Sequence, residues 1–401
     1  MKSIFILLTV IFLEAPSAIA SVCSLDSYFN KSMEYRSYQI QSEQNKIERQ
    51  DNNYSFLPDF SVSTGQSAYN KSGFKSPEYS DAGFYLSMPI YTGGRYFLNK
   101  NKLSLSDELQ LISLEKYRID YLLSIYEKIL RRNEINTLLK EYNLKQKDAE
   151  IENKHLQYLY EQGRISAFEL NLKENMVENN QKNIKILRSE LQLLEWSLSK
   201  EHHIPQHMFG LIDSNAIKAC KRNNISSLIK KENIAEFAEA GINYELEKST
   251  DYPSLSLSLS LRPKKGGAIR DVSIKHGNYS TSINLNIPLS GLLKLNTKKE
   301  KYSLNVNSAK LKSDKKNMEL KNTKQSILNK LDNASDEILY LRKQFFLNKD
   351  KINYLKEQLR KNNDNIVLYY NEINSLDEIK RELIKKENEI ELYKMHVFFI
   401  G

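Results

Sequence analysis

The stretch Pro253–Leu261 most constrains the fold, because serine and leucine alternate along it without interruption. Side chains of a strand point to opposite faces in turn, so one face carries leucine and the other carries Ser254, Ser256, Ser258 and Ser260. A soluble strand with one buried face would show the same pattern. So would a strand that crosses an outer membrane with its leucines toward lipid and its serines toward a water-filled lumen. Very long helical segments flank the strands of this chain, and we therefore favour the membrane interpretation.

The amino terminus has the features of a secretory signal peptide over 1–20. Lys2 supplies the positive charge, residues 4–13 form an apolar run, and Ala18-Ile19-Ala20 provides a cleavage site of small residues. Lipid attachment at Cys23 is a weaker alternative, because such sites require a small residue where this chain has Val22. No later segment is long and apolar enough to predict a transmembrane helix, so a membrane crossing would have to be a β-barrel.

Composition favours neither an enzyme nor a nucleic-acid-binding protein. The net charge of +9 arises from lysines scattered among glutamates, which is typical of a solvated helical surface. We find no nucleophile with a neighbouring base and no phosphate-binding loop, so we expect no catalytic residue and no cofactor. His202, His203 and His207 lie close together in the sequence, but no cysteine or carboxylate set accompanies them, and we predict no metal site.

The first half of the mature chain, 21–200, is predicted to contain a helix, a strand hairpin over 56–90, a long helix over 95–162 and a shorter helix over 166–200. The long segment contains neither proline nor glycine, and its apolar residues recur at heptad spacing, as in a coiled coil. This seam comprises Leu105, Leu109, Ile112, Ile119, Leu123, Tyr126 and Leu130. Between the two helices, Gly163 is suited to a helix C-terminus, and Ser166 with Glu169 forms a capping-box pattern.

The second half, 223–401, repeats this order after a connector over 201–222. We predict a helix, a strand hairpin over 253–289, a long helix over 292–371 and a last helix over 376–397. Ser375 and Glu378 are three residues apart, like Ser166 and Glu169 in the first turn. Cys23 and Cys220 precede Pro58 and Pro253 by similar distances, so they occupy equivalent positions in the two halves. Their expected location is oxidising, which makes a disulfide as plausible as two free thiols.

This doubled order resembles the TolC family of outer membrane efflux proteins. Three short segments of the first half carry the resemblance: Leu57-Pro58-Asp59-Phe60-Ser61, Pro89-Ile90-Tyr91-Thr92-Gly93-Gly94 and Tyr160-Glu-Gln-Gly163-Arg-Ile-Ser166-Ala-Phe-Glu169-Leu170. In the second half, Tyr252-Pro-Ser-Leu255-Ser and Ile287-Pro288-Leu289 fit the same pattern. Each motif is short, and their order and duplication over the whole mature chain give the match its specificity.

The resemblance implies an α+β membrane protein in the outer membrane of a Gram-negative bacterium, with most of the chain in the periplasm. Each subunit of a homotrimer would contribute four strands to a twelve-stranded barrel embedded in outer membrane lipid, and the helices would continue as a coiled-coil tunnel. The tunnel tip would meet a periplasmic adaptor protein and an inner-membrane transporter, either of the ABC class or proton-driven. Such a protein is a passive exit duct of a tripartite efflux or type I secretion system, and it binds no nucleic acid.

The resemblance also implies which residues form the two tip turns, where adaptor docking and gating would occur. Gly163, Arg164, Ser166 and Glu169 match the first turn, and the second would contain Asn374, Ser375, Asp377, Glu378 and Arg381. Glu372 stands where the family favours glycine, and Asn374 and Arg381 stand where well-known members have a gate arginine and an acidic ring. We therefore carry over neither a gate salt bridge nor a cation-binding ring.

Two other classes of protein have long helices. A periplasmic adaptor would be expected to have a single helical hairpin flanked by lipoyl-like and barrel segments, rather than two strand hairpins repeated with the helices. A secreted coiled-coil protein with a purely structural role would leave the Ser–Leu alternation unexplained.

Overall fold

The computed structural model describes residues 23–65, 81–263, 275, 277–361 and 366–401. The expected signal peptide and most of the two polar hairpin loops lie outside these residues. In chain order the elements are α1 (Asp26–Phe29), α2 (Met33–Tyr54), β1 (Asp59–Gly65), β2 (Asp81–Thr92), α3 (Arg95–Glu161), α4 (Ala167–Lys200), a 3₁₀ turn (Gln206–Met208), α5 (Ser214–Ala219), α6 (Ile225–Ser249), β3 (Ser254–Pro263), β4 (Gly277–Asn286), α7 (Ser290–Lys361) and α8 (Ile366–Ile400).

Helix α3 shows why the long helices form. It begins directly after Gly93 and Gly94, whose φ angles of 66° and 80° end strand β2, and it has no glycine or proline of its own. The apolar heptad positions supply its buried side: Ile119 is 1% exposed and Tyr126 is 3% exposed. Since most of the stability of a long helix comes from packing its apolar face, this seam is sufficient reason for an uninterrupted helix.

The chain divides into two compact units, and α3 and α7 each contribute residues to both. The first unit comprises the described parts of 1–32, 120–222 and 333–395, and the second comprises those of 33–119, 223–332 and 396–401. Among the helices in the described ranges, none combines the length and the apolar character that crossing a bilayer requires.

The second unit is a row of four helices that continue into four strands. Asn52 on α2 donates to the carbonyl of Tyr96 on α3 at 3.1 Å. Lys116 on α3 and Lys316 on α7 both pair with Glu232 on α6, at 2.6 and 3.3 Å. The helix order α2-α3-α6-α7 is thus the same as the strand order β1-β2-β3-β4, and every pair of neighbouring strands is antiparallel.

In the first unit, α3 packs on both α4 and α8, and α7 packs on α8. Arg132 on α3 pairs with Glu195 on α4 at 2.9 Å, and Arg342 on α7 pairs with Glu387 on α8 at 3.0 Å. An apolar cluster holds α3 and α4 together, and Ile384 of α8 packs against it. Its buried members are Ile135, Leu138, Leu139, Tyr142 and Ile184.

Candidate functional site

The turn between α3 and α4 is built by its own backbone. Gly163 adopts φ +70°, and its amide donates to the carbonyl of Tyr160 at 2.8 Å. The amide of Arg164 donates to the carbonyl of Leu159 at 2.9 Å. These two bonds form a Schellman motif with glycine in the left-handed position, which satisfies carbonyls that a helix end leaves without partners. Gly163, which the sequence predicted at the C-terminus of this helix, therefore ends the helix in the structure.

The next helix starts with a complete capping box. The Ser166 hydroxyl accepts a hydrogen bond from the Glu169 amide at 3.2 Å, and the Glu169 carboxylate accepts one from the Ser166 amide at 2.9 Å. Both interactions satisfy amides at the helix start. Arg164 is exposed beside this box, and Phe168 is 62% exposed. The turn is thus a rigid backbone structure that presents a cation and an aromatic ring to solvent.

The predicted second turn is wrong. Asn374, Ser375, Asp377, Glu378 and Arg381 lie inside α8, which begins at Ile366, and the preceding helix ends at Lys361. The two helices thus lie on either side of residues 362–365, which are outside the described part of the chain. The Ser–Glu spacing was misleading, because a capping-box pattern can also occur within a helix that contains no glycine or proline to stop it.

Two sequence signals also distinguish residues 362–365 from the helices on either side. Residues 362–365 read Asn-Asn-Asp-Asn, and asparagine and aspartate are unfavourable residue types in a helix interior because their side chains can bond the backbone in other conformations. Asn362 also lies as many residues after Pro288 as Gly163 lies after Pro89.

Three of these residues connect helices of the first unit. Asp377 forms an ion pair with Lys145 of α3, and the Ser375 hydroxyl accepts a hydrogen bond from Asn348 of α7 at 3.0 Å. The Arg381 guanidinium lies 6.0 Å from the centre of the Tyr142 ring of α3. Instead of capping a turn, these side chains join α8 to α3 and α7.

A buried polar cluster joins three helices of the first unit, and the sequence analysis missed it. Lys173 of α4 is 4% exposed, pairs with Glu152 of α3, and lies 5.2 Å from the centre of the Tyr370 ring of α8. The Tyr370 hydroxyl donates to Glu152 at 3.3 Å. Burial, and then the negative charge of Glu152, raises the pKa of Tyr370 well above its usual range. No local pattern marks these residues, because they meet only when the helices pack.

The sheet has one polar face. Residues directly opposite each other in neighbouring strands share a face of the sheet, so the register gives rows of four residues, one from each strand. Two rows are Asp59, Ser87, Ser258 and Ser282, followed by Ser61, Tyr85, Ser260 and Ser280. The Ser260 and Ser280 hydroxyls are 2.8 Å apart, and Asn284 donates to Ser258 at 3.0 Å. Ser254 lies opposite Asn286, and Ser256 lies opposite Asn284.

The other face of the sheet is apolar and, in the single chain, largely exposed. Its rows include Phe60, Leu86, Leu259 and Thr281, followed by Val62, Phe84, Leu261 and Tyr279. Phe60 is 62% exposed, Ile283 is 69% exposed and Leu285 is 62% exposed. Exposed apolar surface on this scale marks a site that contacts lipid or another protein surface.

The two cysteines are joined. Cys23 and Cys220 form a disulfide whose Cα atoms are 4.8 Å apart, so of the two alternatives left open by the sequence, the structure has the bonded one. Of the three connector histidines, His202 contacts the Tyr121 ring and approaches Lys128, and the His203 backbone has φ +57°.

Comparison with known proteins identifies the fold. No family model matches the sequence, and no curated protein matches it. Solved structures of outer membrane channels do match. The channel OprN superposes with a TM-score of 0.70 at 8% identity, covering 93% of this chain and 88% of that one. VceC from Vibrio cholerae gives 0.69 at 8% identity, with 94% and 95% covered. The open state of MtrE from Neisseria gonorrhoeae gives 0.64 at 11% identity, with 94% and 88% covered. The chain therefore has the TolC-like fold of outer membrane channels that its sequence motifs resemble.

Proposed function

We propose that this protein is a homotrimeric exit duct in the outer membrane of a Gram-negative bacterium. The observation that carries the proposal is the separation of the sheet into a Ser/Asn face and an exposed Leu/Phe/Ile face. A membrane barrel needs such an arrangement, with apolar side chains toward lipid and polar ones toward an aqueous lumen. In this assignment Ser254, Ser256, Ser258 and Ser260 line the duct.

The sheet requires partners to close. Strands β1 and β4 are its edges in the described chain, and each leaves one side of its backbone without a strand neighbour. Unpaired backbone groups are very costly in a bilayer, and single-chain outer membrane barrels have at least eight strands. Pairing β1 of one copy with β4 of the next gives a head-to-tail contact, which closes into a ring. Three copies would supply twelve strands.

The helical edges of the second unit support the same contact. Helix α2 exposes an apolar residue at every seventh position, namely Met33, Ile40, Ile47 and Tyr54, which are between 52% and 75% exposed. Helix α7 does the same with Leu304, Leu311 and Met318, which are between 60% and 70% exposed. Exposed heptad stripes at both ends of a helical row are suited to coiled-coil packing between neighbouring copies.

The long helices would form a periplasmic tunnel whose tip contains the turn at Gly163. Arg164 and Phe168 would there be available to a periplasmic adaptor, with an inner-membrane transporter behind it. The Glu152–Lys173–Tyr370 cluster and the Lys145–Asp377 pair would keep the helices near the tip in one arrangement until a partner engages. The transporter would supply the energy, and this subunit would act as a gated passive conduit for efflux or type I secretion rather than as an enzyme.

Fractionation and crosslinking test this proposal. The full chain, expressed in Gram-negative cells, should sediment with the outer membrane, require detergent for extraction and give a crosslinked trimer. After reconstitution into planar bilayers it should conduct ions. A soluble periplasmic monomer would overturn the proposal of a duct.

A matched pair of substitutions tests the assignment of the two faces. Ile283→Asp on the apolar face should abolish membrane assembly, whereas Ser282→Asp on the polar face should preserve it. Equal effects of the two changes would contradict the assignment of faces.

A further inference from the structure

The Cys23–Cys220 disulfide fastens the N-terminal segment to the connector within the first unit. We call residues 23–32 and 201–222 together the collar. The bond closes a separation of 197 residues. Cys23 is 8% exposed and Cys220 is 2% exposed, so the packed collar covers both sulfurs. Reductants and alkylating reagents act on accessible sulfur, and little of either cysteine is accessible here.

Both parts of the collar bury apolar side chains. The N-terminal segment contributes Leu25 and Phe29, which are 1% and 3% exposed, and Phe29 packs on the Tyr121 ring of α3 at 5.3 Å. The connector contributes Ile204, Phe209 and Ile217, each at most 1% exposed. An ion pair between Asp26 and Arg222 joins the two parts beside the disulfide. Because only five residues lie between Cys23 and Phe29, the bond determines where this segment packs.

We propose that the collar is an oxidatively formed clasp: a periplasmic dithiol oxidant makes the bond before the collar packs, and packing then protects the bond from reduction. The order follows from burial, since an oxidising protein cannot reach the sulfurs of cysteines that are only 8% and 2% exposed as whole residues. This inference concerns the folding of the single chain and does not rest on the proposed transport function.

The chemistry is thiol–disulfide exchange with a protein that carries a reactive disulfide. One collar cysteine loses its proton, and its thiolate attacks the oxidant's disulfide, giving a mixed disulfide and one oxidant thiolate. The second collar thiolate displaces the other oxidant sulfur and closes the Cys23–Cys220 bond. The oxidant gains two electrons, and its two thiolates take up the two protons released by the collar. The reaction also uses the Cys23 sulfur that a lipid thioether would need, so the clasp excludes lipid attachment at that residue.

Native-state reduction of the purified full-length protein tests the clasp without any substitution. The detergent-solubilised protein is incubated with a phosphine reductant and a thiol-reactive polyethylene glycol, either folded or in denaturant. We expect labelling of the folded protein to be on the order of a hundredfold slower, because it requires local opening of the collar. Two labels should appear after unfolding. Equally fast labelling of the folded and unfolded protein would overturn the protection. An intact mass showing a diacylglyceryl group on Cys23 would overturn the clasp itself.

Production in cells that lack periplasmic dithiol oxidase tests how the bond is made. We expect reduced protein with an N-terminal segment that protease removes at least about tenfold faster, as for local unfolding of a loosened element. The Cys23→Ser/Cys220→Ser variant should be equally sensitive in both strains, which shows that the strain acts through these sulfurs. Normal oxidation and normal protease resistance of the natural chain in the deficient cells would contradict the proposed order.

Discussion

Gly163 allows a backbone preference to be tested in isolation. Its φ of +70° is a left-handed conformation, and a Cβ atom built on it has no other heavy atom within 4 Å. A substitution there therefore strains the backbone without creating a clash. Gly210 provides a matched control, because its Cβ position is equally open and its φ is not in the left-handed range. Any difference between alanine at the two positions reports on the turn.

The expected magnitude follows from two opposing effects. A residue with a Cβ costs about 1–2 kcal/mol in the left-handed region. Replacing glycine by alanine recovers about 0.4–1 kcal/mol by restricting the unfolded chain. The net cost of Gly163→Ala is then about 1 kcal/mol, or about a fivefold increase in the population of the opened turn. Asparagine tolerates this conformation and should cost less. Proline cannot adopt it, and it would also remove the amide that donates to Tyr160.

Trypsin cleavage after Arg164, followed by mass spectrometry of that peptide, measures the opened population when opening and reclosing are fast. We expect the rate to increase in the order Gly163, Asn, Ala, Pro, with about a fivefold increase for alanine. Gly210→Ala should leave it unchanged. In an export assay, Gly163→Pro should abolish transport while trimers remain in the membrane. Equal cleavage of the glycine and alanine proteins would refute the conformational argument, and unchanged export by the proline variant would refute the role of this turn at the tip.

Three further changes have predictable effects. Ser166→Ala should accelerate amide exchange at Glu169 by a factor that corresponds to about 1 kcal/mol, whereas Ser166→Asp should preserve the cap. His203→Gly should stabilise the folded chain by about 1 kcal/mol, because φ is +57° there, and a lower melting temperature would contradict this. Burial alone would raise the pKa of Glu232, but hydrogen bonds and charge from its two lysine partners lower it. Its contribution to stability is therefore present near pH 7 and is lost as the pH falls through that lowered pKa, on the acid side of the usual glutamate range. Glu232→Gln should make unfolding less sensitive to acid in that range.

Sequence patterns predicted those parts of the fold that depend on local chemistry. Heptad spacing predicted α3, and the structure buries that seam from Ile112 to Tyr126. Glycine and a capping box predicted the first turn, because both act within a few residues of the chain. Period-two alternation predicted β3. In each case one short segment contains both the signal and the interaction that satisfies it.

Features that depend on packing between helices could not be predicted in this way. Glu152, Lys173 and Tyr370 come from three helices, and each is ordinary in its own segment. The prediction of the second turn was wrong for a different reason. The capping pattern at Ser375 predicted a turn at a place that lies inside α8, whereas the spacing from Pro288 indicates the region where α7 ends. A capping pattern predicts a helix start only where a residue such as glycine or asparagine also ends the preceding helix.

The neighbouring strands determine how the Ser–Leu pattern of β3 is interpreted. Alternation on β3 alone is compatible with either face being buried. The register places its serines opposite Ser280, Ser282 and Asn284 on β4, and places its leucines opposite apolar residues of both neighbours over most of the strand. A slip of one residue against either neighbour would place serines opposite apolar partners. The four strands therefore specify one register together, and in that register a single chain exposes an apolar surface that only lipid or another apolar surface can cover. This is why the strand pattern, rather than the length of the helices, carries the argument for a membrane duct.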